Sequence, residues 1–186
     1  SVETLDGNVE LALRGGVARA RTASGTIVVR GVIRDLDAST VSGPLLIGME
    51  GDVARIRLET VSSEIAFKGG LTPDGRLEAE THGGDIELRL PPALGASYHL
   101  VSYGGGLRNE LVPGGKVSQG PRKGEYSLKT GDGRAVVDVR TGFALGQRIR
   151  IRRHDYTVVG LTQRMVSSGG DPMVFIPLKD AQEAQF

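Results

Sequence analysis

Hydrophobic and polar residues alternate along most of this chain, most clearly in the stretch RLEAETHGGDIELRL at residues 76–90. A period of two is the side-chain period of a β-strand, so the stretch predicts two short strands joined by a corner at Gly83 and Gly84. The predicted inward positions are Leu77, Ala79, Thr81, Ile86, Leu88 and Leu90. Charged residues occupy the positions between them, which places the charges on the outer face.

This unit recurs as a threonine, two further residues and a glycine, with apolar residues two and four places after the glycine. The two marked positions are occupied by Thr4/Gly7, Thr22/Gly25, Thr40/Gly43, Thr60/Ser63, Thr81/Gly84, Ser102/Gly105 and Thr130/Gly133. Since like residues in register can stack, the repeat predicts an all-β fold. We expect a single-chain β-solenoid, similar to a β-helix, of about seven coils over residues 1–141.

The positions that follow each corner are apolar in all but one place, as a stacked core requires. They are Val9/Leu11, Ile27/Val29, Leu45/Ile47, Ile65/Phe67, Ile86/Leu88, Leu107/Asn109 and Ala135/Val137. The threonines share the phase of inward residues, so their hydroxyls are expected to bond neighbouring backbone groups rather than form an outer ligand-binding ladder. The corner glycines are expected to adopt positive φ.

The sixth coil carries an insertion, LVPGGKVSQGPRKG, at Leu111 to Gly124, whose proline and glycine content predicts a loop. Loops on rigid scaffolds often carry binding, so this loop and the outer face are the candidate binding surfaces. The run Gly104 to Gly106 lacks the strand, loop and helix context of a phosphate-binding loop.

Residues 142–186 follow a different pattern and predict a small C-terminal α+β segment. Alternating residues on either side of a turn at His154 and Asp155 predict a β-hairpin. After Pro177 the pattern predicts a short helix, with Asp180 as its cap and Glu183 as the capping-box partner. The segment could cap an exposed end of the solenoid, which repeat proteins need.

Composition limits the classes of partner. The chain has 186 residues, 23 basic against 22 acidic, so its net charge of +1 gives no electrostatic footprint for nucleic acid. Cysteine is absent, which excludes disulfides and thiol chemistry. No apolar run of about 18 residues occurs, so no membrane span is predicted. The chain opens at Ser1 inside a repeat, which we interpret as a processed fragment whose exposed solenoid edge leaves a homodimer open.

The histidines and serines do not form a catalytic or metal-binding motif. His82, His99 and His154 are far apart in the sequence and lack metal-ligand spacing. No serine lies in a nucleophile-elbow context. The sequence therefore predicts no catalytic, cofactor-binding or metal-binding residue.

Two pairs of carboxylates are predicted to project from the outer face, Glu78 with Glu80 and Asp85 with Glu87. Polysaccharide-cleaving β-helices present acids and bound calcium in this way. The nearby arginines, Arg76 and Arg89, favour a solvated face of balanced charge instead.

A basic run, Arg148, Arg150, Arg152 and Arg153, could bind an acidic headgroup or partner. More often such a run is a charged, exposed edge that discourages strand pairing.

Three phrases, ARARTASGTIVV, LETVSSEIAF and EAETHGGDIEL, resemble the bacterial adhesin-like family of β-strand-repeat domains, whose function is unassigned. The resemblance covers residues 1 to about 141. It implies an extracytoplasmic location, in the periplasm or at the cell surface, and no enzymatic activity.

The tail resembles a fragment of the periplasmic core domain of macrolide-exporter-type ABC transporter permeases. The matching residues are Leu145, Gly146, Ile149, Ile151, residues 155–160, residues 170–172, residues 175–178 and residues 180–182. The resemblance covers only about 45 residues, and no ATP-binding motif accompanies it. A natural fusion and a chimera both stay open.

These observations favour a non-enzymatic structural or adhesion-like module of a bacterial cell envelope. Its partner would be an envelope component, a glycan or a protein, and it needs no cofactor. The alternative is the periplasmic part of an ABC-type exporter permease, with the solenoid as an insertion. A carbohydrate-active β-helix enzyme is a more remote alternative.

Overall fold

The structure, a computed structural model, describes residues 1–103, 118–119, 124–142, 148–151 and 154–157. The chain divides into two compact units, Ser1–Gly142 and Phe143–Phe186. All regular elements in the described ranges are β-strands, and these ranges contain no helix that could cross a membrane. The strands are β1 Val2–Asp6, β2 Val9–Arg14, β3 Val17–Ser24, β4 Ile27–Val32, β5 Asp35–Thr40, β6 Leu45–Thr60, β7 Ile65–Thr81, β8 Ile86–Arg89, β9 Ala96–Ser102, β10 Ser118–Gln119, β11 Glu125–Lys129, β12 Ala135–Thr141, β13 Arg148–Ile151 and β14 His154–Thr157.

The strands of the first unit form two stacks in which successive coils pair in parallel, and we call these stacks the first and second walls. The first wall contains β2, β4, the first halves of β6 and β7, and β8. The second wall contains β1, β3, β5, the second halves of β6 and β7, and then further strands. Each coil contributes one strand to each wall, so β2 to β7 make about four turns. The prediction of an all-β solenoid is confirmed, but the expected number of seven coils is wrong.

Alternating side chains from both walls form one continuous apolar core. Ile27, Leu45 and Ile65 of the first wall stack in register and are fully buried. Leu58 and Leu77 of the second wall are also fully buried. Fully burying one such side chain contributes about 2 kcal/mol, so this column is what holds successive coils together. The predicted inward positions are therefore correct in these coils.

A column of threonines lies inside the corner between the walls. Thr22, Thr40, Thr60 and Thr81 are all buried, as their phase predicts. The Thr22 hydroxyl donates to the carbonyl oxygen of Ser24 at 2.9 Å, and the Thr81 hydroxyl to that of Ser63 at 3.1 Å. The hydroxyls of Thr40 and Thr60 have no hydrogen-bond partner in the described part of the chain. The predicted backbone bonding therefore holds for only part of the column.

The corner glycines are required for two different reasons. Gly7 and Gly25 have φ of 111° and 126°, as predicted. Gly43 and Gly84 do not adopt positive φ. A Cβ atom at Gly43 would instead overlap the carbonyl oxygen of Gly25, and one at Gly84 would overlap that of Ser63. Close stacking of corners therefore selects glycine in the inner coils.

Beyond β7 the strands leave the order that the repeat predicts. Chain order places β9 beside β7, yet β12 lies between them, parallel to both. Val137 is opposite Leu77, and Thr141 is opposite Thr81. β12 thus continues the pattern of β7 more closely than β9 does, because β9 offers the bulky Tyr98 at the corresponding position. After β9 the wall continues with β11 and β10, both antiparallel to their neighbours.

This order corrects the last predicted copy of the repeat. Thr141, not Thr130, takes the next place in the threonine column, between Thr81 and Ser102. The Thr130 hydroxyl instead donates to the carbonyl oxygen of Leu94 at 2.6 Å. Ala135 and Val137 are fully buried as predicted, but they belong to the second wall. Counting the threonine and glycine positions of the repeat cannot detect the displaced strand, because the count assumes that strands stack in chain order.

The second unit contains the predicted β-hairpin. β13 and β14 are antiparallel, with Ile149 opposite Tyr156 and Ile151 opposite His154. His154 and Asp155 therefore lie in β14, and their prediction as the turn is wrong by two residues. The helix predicted after Pro177 lies outside the described residues.

Candidate functional site

The outer surface of the second wall carries rows of charged side chains, which we call the charged face. Its central row runs across six strands with residues directly opposite one another. In order these are Arg19, Asp37, Arg57, Glu78, Asp138 and His99. Strand alternation forms this row, since the neighbouring positions on each strand point into the core. The predicted outward position of Glu78 and Glu80 is consistent with this arrangement.

Most charges on this face are paired with a neighbour. The Nε of Arg19 lies 3.0 Å from an Asp37 carboxylate oxygen, that of Arg55 lies 3.2 Å from Asp35, and that of Arg76 lies 2.6 Å from Glu78. These arginine side chains are more than half exposed. Exposed pairs such as these add little to the stability of the fold.

Asp35 is the carboxylate most affected by its surroundings. Its hydrogen bond with Arg55 lowers its pKa below 3.8, burial acts in the opposite direction, and Arg34 lowers the pKa further. Asp35 therefore stays ionised in weak acid and keeps this end of the charged face paired.

A shallow depression of about 450 Å³ lies on the charged face across β3, β5, β6 and β7. Val17 and Ser1 border it at one end. At the other end Arg55 lies directly opposite Arg76, with Arg57 two positions along β6. Opposed like charges disfavour each other across a strand pair. Each of these two arginines pairs with a carboxylate, Arg55 with Asp35 and Arg76 with Glu78, so the charges in the depression are balanced.

His99 forms the other cluster on this face. Its Nε2 lies 3.1 Å from a Glu125 carboxylate oxygen, and its Nδ1 lies 3.6 Å from Asp138. Asp138 also pairs with Arg140 at 3.3 Å, which raises the pKa of Arg140. The cluster thus joins β11, β9 and β12. Ser127 is opposite His99 in register, but the ring nitrogen contacts Glu125 instead, so the described contacts join the imidazole to carboxylates and not to a serine hydroxyl.

The two histidines of the first unit have different carboxylate neighbours. His82 lies 3.6 Å from Glu80 beside a corner, and His154 belongs to the second unit. Across the ranges that the structure describes, no group of three or more histidine, cysteine, aspartate or glutamate side chains could hold a metal ion.

The second carboxylate pair behaves as a charge-balanced surface. Glu87 lies on β8 and accepts a hydrogen bond from the Nε of Arg89 at 2.7 Å. Asp85 precedes β8 and is exposed. The pairs of Glu78 with Arg76 and of Glu87 with Arg89 are therefore those that the sequence favours.

The remaining predicted binding surfaces fall mainly outside the described residues. Of the loop from Leu111 to Gly124, the structure describes only Ser118, Gln119 and Gly124. The run Gly104 to Gly106 lies outside the described residues. Of the basic run, Arg148 and Arg150 lie on β13, and Arg152 and Arg153 are not described.

Sequence reasoning missed one close contact that connects distant parts of the first unit. Arg134, just before β12, holds both carboxylate oxygens of Asp74 on β7, at 2.7 and 2.8 Å. The contact raises the pKa of Arg134. The two residues are 60 positions apart, and only the unexpected place of β12 brings them together.

A comparison with protein families identifies the C-terminal half of the chain. The model of the MacB-like periplasmic core domain matches residues 93–186, just over half of the chain. The chain belongs to this family. The match begins just before β9 and includes β12, which continues the wall from β7. No curated protein and no solved structure matches the chain.

The family match tests one of the two resemblances. The resemblance of the tail to a permease periplasmic domain is confirmed, and the match also extends to β9, β11 and β12. The resemblance of residues 1–141 to adhesin-like repeats stays a prediction. A periplasmic core domain lies outside the cytoplasm, so the protein is extracytoplasmic.

Proposed function

We propose that this chain is the periplasmic part of an ABC-type exporter permease, and that its solenoid is a non-catalytic extension of the periplasmic core domain. The match over residues 93–186 is the observation that supports this function most strongly. The solenoid strands β1 to β8 lie outside the match.

The contact between solenoid and family segment supports a shared structural role. β12 of the matched segment pairs with β7 of the solenoid over six residues, from Val136 to Thr141. Main-chain pairing of this length is reinforced by the bidentate contact of Arg134 with Asp74. A solenoid attached in this way extends the wall of the core domain, and its charged face is available to another envelope component.

The partners of such a module are the remaining parts of an exporter. ABC exporters couple ATP hydrolysis to movement of a substrate across the membrane. The charged face carries groups of both signs, so a partner with interspersed charges suits it better than a strongly acidic or basic one.

Fractionation of cells that express the complete gene product tests this function. We expect the product to stay in the membrane fraction after alkaline extraction. In intact cells an added protease should leave residues 1–186 uncleaved, and it should cleave them once the outer membrane is permeabilised. An inner-membrane protein of the same strain with a known periplasmic loop is the control.

Sequencing of the gene on both sides of this region gives an independent result. We expect the reading frame to include several apolar stretches of about 20 residues. Release of the product by alkaline extraction, or cleavage in intact cells, would overturn the exporter assignment.

A further inference from the structure

The outer surface of the first wall differs from the charged face of the second wall. We call it the first-wall face, and it consists of the outward positions of β4, of the first halves of β6 and β7, and of β8. An apolar row crosses three of these strands, with Val28 opposite Leu46 and Leu46 opposite Ala66. Leu46 is 36% exposed, and the other two side chains are half-buried. In the same coils, nearly every outward position of the second wall is charged.

A row of cations runs beside the apolar row. Arg30, Lys68 and Arg89 lie at outward positions two residues further along their strands. Lys68 is directly opposite Arg89 rather than a carboxylate. Arg30 and Arg89 each contact a glutamate, at 3.5 and 2.7 Å, whereas Lys68 has no ion pair with a described residue. Lys68 is therefore available to a carboxylate from another molecule.

Gly48 leaves a gap in this row of cations, in register between Arg30 and Lys68. Its φ is not positive, and a Cβ atom would meet nothing within 4 Å, so the fold does not require glycine there. Glycine inside a strand weakens the strand, and it often marks a place that a ligand or another chain approaches closely. A group that approaches Gly48 would lie between two positive charges.

The geometry of a sheet face limits which partner can cover it. The main-chain groups of these strands point to neighbouring strands within the sheet, so the face offers side chains only. An extended segment on the face would leave its own main-chain groups without partners, whereas a helix bonds them internally. β4 to β8 span about 14 Å at about 4.8 Å per strand, which corresponds to about ten helical residues. The face therefore suits a short helix that crosses the strands.

We propose that the first-wall face binds an acidic amphipathic helix of a partner protein. Aliphatic side chains of the helix pack on the apolar row, and its carboxylates pair with Lys68 and Arg30 on either side of Gly48. The face lies outside the segment that matches the periplasmic core domain family, so the proposal does not rest on the exporter assignment.

An NMR titration of the isotope-labelled 186-residue chain with a designed peptide tests this surface. The probe is an acetylated and amidated peptide of about 15 residues, built from alanine, leucine and glutamate so that leucines and glutamates form adjacent stripes on a helix. We expect chemical-shift changes at amides of β4, β8 and the first halves of β6 and β7, and little change on the second wall. The same peptide with glutamine in place of glutamate should bind about tenfold more weakly.

Substitutions on the two walls distinguish this face from general electrostatic attraction. Lys68→Glu places a carboxylate opposite Arg89, so the fold should be retained while the peptide binds about tenfold more weakly. Arg21→Glu makes the same change of net charge on the outer surface of the second wall, and it is the matched control. Gly48→Val fills the gap with a side chain that favours strands, so it should weaken binding without loss of stability.

Binding that is confined to the first wall, and that Lys68→Glu and Gly48→Val weaken more than Arg21→Glu does, is the expected result. Absence of binding, equal binding of the glutamine peptide or equal loss in Arg21→Glu would each overturn the proposal. Retention of the chain on phosphatidylglycerol vesicles but not by the peptide, with loss of retention in Lys68→Glu, would also overturn it. The face would then recognise a lipid surface rather than a helix.

Discussion

The two ends of the solenoid differ in how they stop. At the N-terminal end, β1 and β2 each pair with one strand only among the described strands, and we call this the open end. At the other end the last described strand of the first wall is β8, which has four residues and is followed by Pro91 and Pro92, while the second wall continues through β12, β9, β11 and β10. Short strands, proline and antiparallel additions are means of ending a sheet. Among the described strands, these means of ending a sheet therefore lie at one end of the solenoid.

The difference shows which part of the sheet the family segment forms. The segment begins just before β9, so the strands that continue the second wall are family strands and the open end is purely solenoid. Nearest-neighbour contacts dominate repeat proteins, so each end should respond separately to mutation.

The largest expected effect is a difference in the free energy of unfolding between a substitution in the interior of the solenoid and one at its open end. Leu77 is fully buried between β6 and β12, so Leu77→Ala should lower the free energy of unfolding by about 3 kcal/mol. Leu13 is partly buried on the edge strand β2, so Leu13→Ala should cost about 1 kcal/mol. Urea denaturation of both variants measures the difference. Equal losses would show that the open end is packed as tightly as the interior.

A smaller effect is expected from the stacked corners. A Cβ atom at Gly43 would overlap the Gly25 carbonyl oxygen, so Gly43→Ala should destabilise the protein by about 2 kcal/mol. Gly48 lies within β6, where a Cβ atom would have open space, and its φ is not positive. Gly48→Ala should therefore be neutral or slightly stabilising. The midpoints of thermal unfolding distinguish the two variants, and a neutral Gly43→Ala would mean that the corners separate readily.

The interior of the solenoid was predictable from sequence because it depends on a side-chain period. Buried positions such as Leu58 and Leu77, and the phase of Thr60 and Thr81, follow from alternation alone. The charge pair of Arg76 with Glu78 was also within reach, because both residues project from one face of one strand.

The strand order of the family segment was not predictable in this way, because it depends on which strands pair with each other. Nothing in a local period places β12 beside β7, so the contact of Arg134 with Asp74 could not be foreseen. His99 and Glu125 are 26 residues apart and meet only through an antiparallel pair. These two contacts escaped sequence reasoning because the rearranged strand order holds them together.

The smallest expected effect concerns Tyr98, a tyrosine buried in the family segment. Tyr98 on β9 is 4% exposed, and burial raises the pKa of its phenol above 10, partly offset by a hydrogen bond with Thr130. The unfolded chain loses this proton at lower pH than the folded chain does. Stability should therefore fall as the pH rises through about 10.

Tyr98→Phe should remove this alkaline loss, measured as the urea midpoint at a series of pH values from neutral to strongly alkaline. Tyr103→Phe is the control, since that side chain is 43% exposed and makes the same chemical change outside the core. The alkaline slope should persist in the control. If the alkaline slope persists equally in Tyr98→Phe, β9 does not keep the phenol of Tyr98 away from water. The contrast between the two ends of the solenoid would then depend on strand pairing alone.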